Sequence, residues 1–140
     1  MLGGVTLPHE AGLLGHSDAD VLTHAVMDAL LGAAALGDIG GHFPNTDARW
    51  KDASSIAMLR QVAALVRGGG FDVSNVDATV MAEVPRLAPH IIAMRHCLAE
   101  ALSIPVDGIS VKATTVETMG AIGRREGIAA LAIATLNFSH

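Results

Sequence analysis

From Phe71 to Glu83 the apolar side chains Val73, Val76, Ala78, Val80 and Ala82 recur with period-two character, between Gly68-Gly69-Gly70 and Pro85. That period places them on one face of a strand. The segments around it have a helical period instead. Ser17 is a suitable N-cap for a first helix, with Asp20 at the third helical position, as in a capping box in which Asp replaces Glu. Leu22, Val26, Ala29, Leu30 and Ala33 then form its apolar stripe, and Gly37 is its stop. Ser54 or Ser55 caps a second helix running to Val66, and a third runs from Leu87 or Pro89 to Leu102. Val5-Thr6-Leu7, Ile109–Thr114 and Ile128–Leu136 have strand character, with loops at Asp38–Asp52 and Gly120–Gly127. Strands alternate with helices in an α/β order, and no repeat or linker divides residues 1–140, which therefore form one domain.

With three Phe, one Trp and no Tyr, the core has to be built from Ala, Leu, Ile and Val. Fifteen Gly and abundant Ala keep side-chain volume low, which favours burying further apolar surface between subunits. The net charge of −5 and the lack of a basic stripe argue against nucleic-acid binding. The single Cys97 excludes an intrachain disulfide and fits a reducing compartment, where it reads as a small apolar side chain in a helix. No apolar run reaches the ~20 residues of a membrane span, and Met1-Leu2-Gly3-Gly4 does not begin a secretory signal. The expected setting is cytoplasmic.

Four groups of residues can carry chemistry. His16 and Ser17 stand at a helix start, where unpaired N–H groups suit phosphate. Asp20, His24 and Asp28 follow at intervals of four, on one helix face. That spacing fits either a metal-ligating His oriented by carboxylates or a solvated face of His–Asp pairs. Asp38 lies between Gly37 and Ile39-Gly40, in a loop that can approach a ligand closely. Lys112-Ala113-Thr114-Thr115-Val116-Glu117 brings two hydroxyls and a carboxylate to a strand end, donors suited to phosphate oxygens and to Mg²⁺ or Mn²⁺. In Gly123-Arg124-Arg125-Glu126-Gly127, arginine can clamp phosphate or simply decorate a hairpin tip.

The order of these groups is more specific than any one of them. Gly12-Leu13-Leu14-Gly15-His16-Ser17-Asp18-Ala19-Asp20-Val21-Leu22-Thr23-His24 resembles the signature of the 2-C-methyl-D-erythritol 2,4-cyclodiphosphate synthase family. So do Asp28–Gly40, Phe43-Pro44-Asn45-Thr46-Asp47, Pro85-Arg86-Leu87-Ala88-Pro89-His90, Val111–Thr115 and Gly123-Arg124 with Glu126-Gly127, Arg125 standing where Gly is frequent. The resemblance implies an α/β (α+β) fold: a four-stranded mixed sheet with helices packed on one face, the sheets facing the axis of a homotrimer. It implies a metal-dependent phosphorus–oxygen lyase of the non-mevalonate isoprenoid pathway. The substrate would be 4-diphosphocytidyl-2-C-methyl-D-erythritol 2-phosphate, cyclised with release of CMP.

By position, the resemblance makes His24 a Zn²⁺ ligand and Glu117 a ligand of Mg²⁺ or Mn²⁺. It makes His16 and Ser17 phosphate contacts and Asp38 a contact to the erythritol hydroxyls, with Asp38 and Thr115 as the catalytic candidates. The cytidine and phosphate pocket would be formed by the segment Ala82–Ala88, in particular Ala82, Pro85, Arg86, Leu87 and Ala88, together with Ala113, Thr114 and Thr115. Arg124, beside Glu126, would bind near the subunit interface on the trimer axis.

The sequence departs from the family pattern in places. The family's first strand carries an Asp-x-His motif that completes the zinc site, and these 140 residues contain none. Of the three protein zinc ligands, His24 alone has a counterpart, so the expectation is a chain lacking that strand or a variant with impaired zinc binding. Arg86 stands where Lys is usual, and Met119-Gly120-Ala121-Ile122 differs from the family around the central cavity. The alternatives are a non-catalytic trimer that binds a cytidine nucleotide or an isoprenoid diphosphate, and a general metal-dependent phosphohydrolase.

Overall fold

The computed structural model describes residues 1–7, 20–50 and 52–139. In chain order these form α1 (Val21–Ala33), α2 (Ile39–His42), α3 (Ser55–Gly68), β1 (Phe71–Met81), α4 (Ile91–Leu102), β2 (Ile109–Thr114), α5 (Gly120–Gly123) and β3 (Ala129–Phe138), with 3₁₀ turns at Ala48–Trp50, Ala88–His90 and Val106–Gly108. The sheet order is β2-β1-β3. β1 pairs in parallel with β2, from Val76↔Ile109 to Met81↔Thr114. It pairs antiparallel with β3, from Phe71↔Phe138 to Met81↔Ala129. The sheet is therefore mixed, as expected. A register shift between Val73 and Asn75 lets both Val73 and Val76 face the core despite their odd spacing.

Helices cover one face of this sheet. α1 lies against β3 and β1, α4 against β2, and α3 touches β1 while packing on both other long helices. Leu22, Val26 and Leu30 of α1 meet Leu59, Val62 and Val66 of α3, Leu98 and Leu102 of α4, and Val76, Val80 and Ile109 of the sheet in one core. The opposite sheet face carries Asp77, Thr79 and Met81 and leaves Leu131 and Ile133 68% and 70% exposed. No helix among the described residues is long and apolar enough to cross a membrane.

Several expectations need correction. The sheet has three strands among the described residues, not four. Near the N-terminus, Leu2 and Val5 exchange backbone hydrogen bonds of 2.8 and 2.9 Å, so the chain turns back on itself there and joins no strand. The first helix begins at Val21 with Asp20 as its N-cap; Ser17 lies outside the described residues. Its buried face includes Met27 and Leu31, because α1 is held between the sheet and α3, whereas Ala33 is exposed at its end. The helix stops before Gly37: Ala35 adopts φ 57°, and the Ala35 and Leu36 amides donate to the carbonyls of Gly32 and Leu31. α3 runs two residues past Val66, β1 stops at Met81, β3 extends to Phe138, and the expected loops contain α2, the turn at Ala48–Trp50 and α5.

Asp20 is fully buried and is neither a metal ligand candidate nor part of a solvated face. Its Oδ1 accepts from Gly3 N (2.8 Å) and Thr23 N (3.0 Å), and its Oδ2 from Gly4 N (2.8 Å) and the Thr23 hydroxyl (2.8 Å). One carboxylate thus caps α1 and fastens the N-terminal turn to it. Asp20→Ala would leave buried donors unpaired and should destabilise the fold by about 3 kcal/mol, read as a lower midpoint in denaturant at unchanged slope.

Candidate functional site

β1 and β2 run in the same direction and end side by side, and the Ala82 N–H donates to Thr114 O at 3.0 Å just beyond β1. There the two chains part. One continues through Glu83 and the cis Val84–Pro85 peptide toward α4, and the other turns at Thr115 toward α5. A crevice outside the carboxyl ends of parallel strands is a common ligand position in α/β folds. Here it is a cavity of about 200 Å³ lined by Ala82, Glu83, Pro85, Arg86, Leu87, Ala88, Ala113, Thr114 and Thr115. Its walls are mostly small or apolar, suited to a flat ring, with Thr hydroxyls and one guanidinium suited to anionic oxygens. Arg86 is exposed and makes no ion pair among the described residues.

Below the Thr115 side of this cavity the backbone makes an unusual turn. Glu117 and Thr118 have φ 53° and 65°, consecutive left-handed residues that carry side chains. Each such residue costs on the order of 1–3 kcal/mol and persists only where its surroundings over-determine it. The Val116 and Thr118 amides both donate to Glu83 Oε1, at 2.9 and 3.0 Å. Gly123 packs so closely that a Cβ there would lie 2.1 Å from the Thr118 carbonyl carbon.

The YgbB family model matches residues 1–137. The chain belongs to the YgbB family. A relative from Salinibacter ruber named 2-C-methyl-D-erythritol 2,4-cyclodiphosphate synthase is 61% identical over 97% of this chain and 87% of its own length. Among solved structures, the bifunctional IspDF from Campylobacter jejuni matches with TM-score 0.94 and 45% identity over 99% of this chain, which spans 37% of that longer protein. A 2C-methyl-D-erythritol-2,4-cyclodiphosphate synthase in its CDP-bound form matches with TM-score 0.89 and 35% identity, over 98% of this chain and 89% of its own.

The residues that the family pattern suggested for the pocket, Ala82, Pro85, Arg86, Leu87, Ala88, Ala113, Thr114 and Thr115, all line the one cavity. The other candidates among the described residues are not in its lining. Asp38 caps α2 by accepting from Gly41 N at 2.9 Å, and Asp28 accepts from Ile39 N at 2.9 Å in the preceding turn. His24 Nε2 lies 3.0 Å from Ser55 Oγ, while the Asp20 carboxylate accepts from the Gly3 and Gly4 amides. Arg124 pairs with Glu126 at 3.0 Å, and Glu117 is exposed at the left-handed turn. His16 and Ser17 lie outside the described residues.

A catalytic zinc normally takes three protein ligands. No group of three His, Cys, Asp or Glu side chains able to hold an ion is gathered among the described residues. Among the described residues, His24 is the one ligand that the resemblance implies for that zinc. The residue overlooked within the pocket segment is Glu83. An acidic group in a pocket expected to receive phosphates was its only visible signal, since its partners lie more than thirty positions away.

Gly123→Ala should force the Thr118 backbone away and destabilise the protein by about 2 kcal/mol, as overpacking does. Thermal unfolding of the variant checks this, with an unchanged midpoint as the contrary result.

Proposed function

We propose that this chain converts 4-diphosphocytidyl-2-C-methyl-D-erythritol 2-phosphate to 2-C-methyl-D-erythritol 2,4-cyclodiphosphate with release of CMP, in the non-mevalonate isoprenoid pathway. The observation that carries this reading is the cavity at the ends of β1 and β2, lined by the family's pocket residues in a chain 61% identical to a named synthase.

A 2-phosphate oxygen attacks the β-phosphorus of the diphosphate. A new P–O bond closes the ring while the P–O bond to CMP breaks, and CMP leaves with that electron pair. No electrons are exchanged with an outside reagent and no protein nucleophile is needed. Both reacting groups are anionic, so catalysis rests on alignment and on electrostatic stabilisation of the developing charge. Ala82, Pro85, Leu87, Ala88 and Ala113 offer walls for the cytosine ring, while Thr114, Thr115 and Arg86 offer donors to the diphosphate. Asp38 would hold the erythritol hydroxyls, Thr115 the reacting phosphates, and His16 and Ser17 the 2-phosphate. His24 and Glu117 each offer one donor to a divalent cation.

The sheet face opposite the helices supports a homotrimer in which sheets face one axis. Exposed Leu131, Ile133 and Met119 would be covered there, and large exposed apolar patches mark association sites. On the same face Lys112 donates to Asp77 at 2.9 Å and holds that carboxyl below the usual carboxylate range. Sites built between subunits would also account for Asp38 and Arg124 lying apart from the cavity within one chain. The non-catalytic, nucleotide-binding trimer stands second, favoured by a cavity lined by the family's pocket residues beside the lack of a three-ligand metal set among the described residues.

CMP release from the cytidine-linked substrate, in the presence of Zn²⁺ and Mg²⁺, decides between them: turnover is expected, and CDP binding without turnover would favour the second reading. Arg86→Ala should weaken CDP binding about tenfold, the loss of one charge-assisted contact, measured by calorimetry. Sedimentation should give three times the 14.4 kDa of one chain. Ile133→Asp should yield a folded monomer without turnover, and an unchanged trimer would remove the assigned interface.

A further inference from the structure

We infer that Glu83 is a positioning residue, whose carboxylate holds the Val116–Thr118 turn and so sets Thr115 in the cavity wall and Glu117 in the turn that follows it. The inference rests on the reading of the cavity as the synthase site. A carboxylate in the lining of a phosphate pocket would ordinarily repel the ligand. Here Oε1 accepts from Val116 N at 2.9 Å and Thr118 N at 3.0 Å, so its charge is directed into the backbone of the neighbouring strand's exit. Two N–H donors on one ionised oxygen form strong hydrogen bonds.

The turn requires such an anchor. Glu117 and Thr118 are both left-handed, and Thr118 is β-branched, a residue type that strongly disfavours that region. Local bonds close the turn, with the Met119 amide donating to Val116 O at 3.1 Å and the Glu117 amide reaching Thr115 Oγ1 at 3.4 Å, but neither engages the Val116 and Thr118 amides. The root of Glu83 is itself fixed, because the adjacent Ala82 N–H is bonded to Thr114 O. Glu83 thus ties the exit of β1 to the exit of β2 one step beyond their last backbone bond. From the other side, Gly123 lies against the Thr118 backbone with no space for a side chain. The turn is clamped between them, and the residues it carries are those assigned to the reacting phosphates and to a cation.

Three measurements on Glu83→Ala and Glu83→Gln in the full chain test this. Glu83→Ala should lower kcat about 10- to 100-fold, the scale of a small misplacement of reacting groups, with KM and CDP affinity altered by less than about threefold. Glu83→Gln keeps an acceptor oxygen and should restore kcat to within about threefold of the parent chain. Amide hydrogen exchange should show Val116 and Thr118 losing protection in Glu83→Ala and retaining it in Glu83→Gln. If the Ala variant does not fold, Glu83→Asp, one methylene shorter, takes its place.

Equal impairment of the Gln and Ala variants would overturn the inference, since charge rather than acceptance would then matter. So would a fall in CDP affinity parallel to kcat, which would make Glu83 a ligand contact, or unchanged exchange at both amides. A parent chain without turnover sinks the synthase reading instead. The exchange measurement then decides whether Glu83 holds the turn.

Discussion

The parallel pairing of β1 with β2 is the constraint on which the rest of the structure depends. Parallel strands cannot be joined by a tight hairpin, so the chain between them must cross over the sheet. Here that crossover contains α4, and its first residues, Ala82–Ala88, lie next to the exit of β2 at Thr114 and Thr115. The cavity is therefore a consequence of strand direction. Its register is fixed as well, because β2 places Ile109 and Val111 in the core and a slip of one residue would turn them to the open face. The same slip would replace Thr114 beside Met81 and move the hydroxyls out of the cavity.

The elements most legible in the sequence are those whose period and punctuation agree. Ser54 caps α3 through Ala57 N, Gly69 closes it, and β1 begins immediately after Gly70. The less legible features are set by contacts distant in sequence. Asp20 has a helical position and a plausible partner three residues on, but its main ligands are the amides of Gly3 and Gly4, which no periodicity connects to it. The end of α1 fell to Ala35 rather than to the obvious Gly37, because a pair of capping hydrogen bonds stabilised a left-handed alanine. The four-stranded sheet was implied by the resemblance, and Val5-Thr6-Leu7 was read as a short extended piece, while the backbone bonds of Val5 close a turn with Leu2.

The candidate site divides along the same line. The eight pocket residues were grouped by the family resemblance, not by spacing, and the cavity at the ends of β1 and β2 gathers all of them. Asp38, His24 and Arg124 sit on separate elements, and their relation to the cavity depends on an assembly that one chain does not contain. Spacing of four along a helix suggested that Asp20, His24 and Asp28 share a task. Each turns instead to a different neighbour: the N-terminal turn, Ser55, and the start of α2.

This distribution also explains how an acidic chain can present a pocket for anions. A net charge of −5 is a poor attribute for binding a diphosphate if the carboxylates are free to project their field. Around the helix starts and strand exits they are engaged by backbone N–H groups: Asp20 by Gly3, Gly4 and Thr23, Asp28 by Ile39, Asp38 by Gly41, and Glu83 by Val116 and Thr118. Each of these hydrogen bonds directs the carboxylate toward a fixed donor. Arg86, by contrast, makes no ion pair among the described residues. The lining therefore offers an anion one guanidinium and two hydroxyls, with the Glu83 carboxylate turned to backbone donors, so the total charge of the chain is a poor guide to what its pocket can hold.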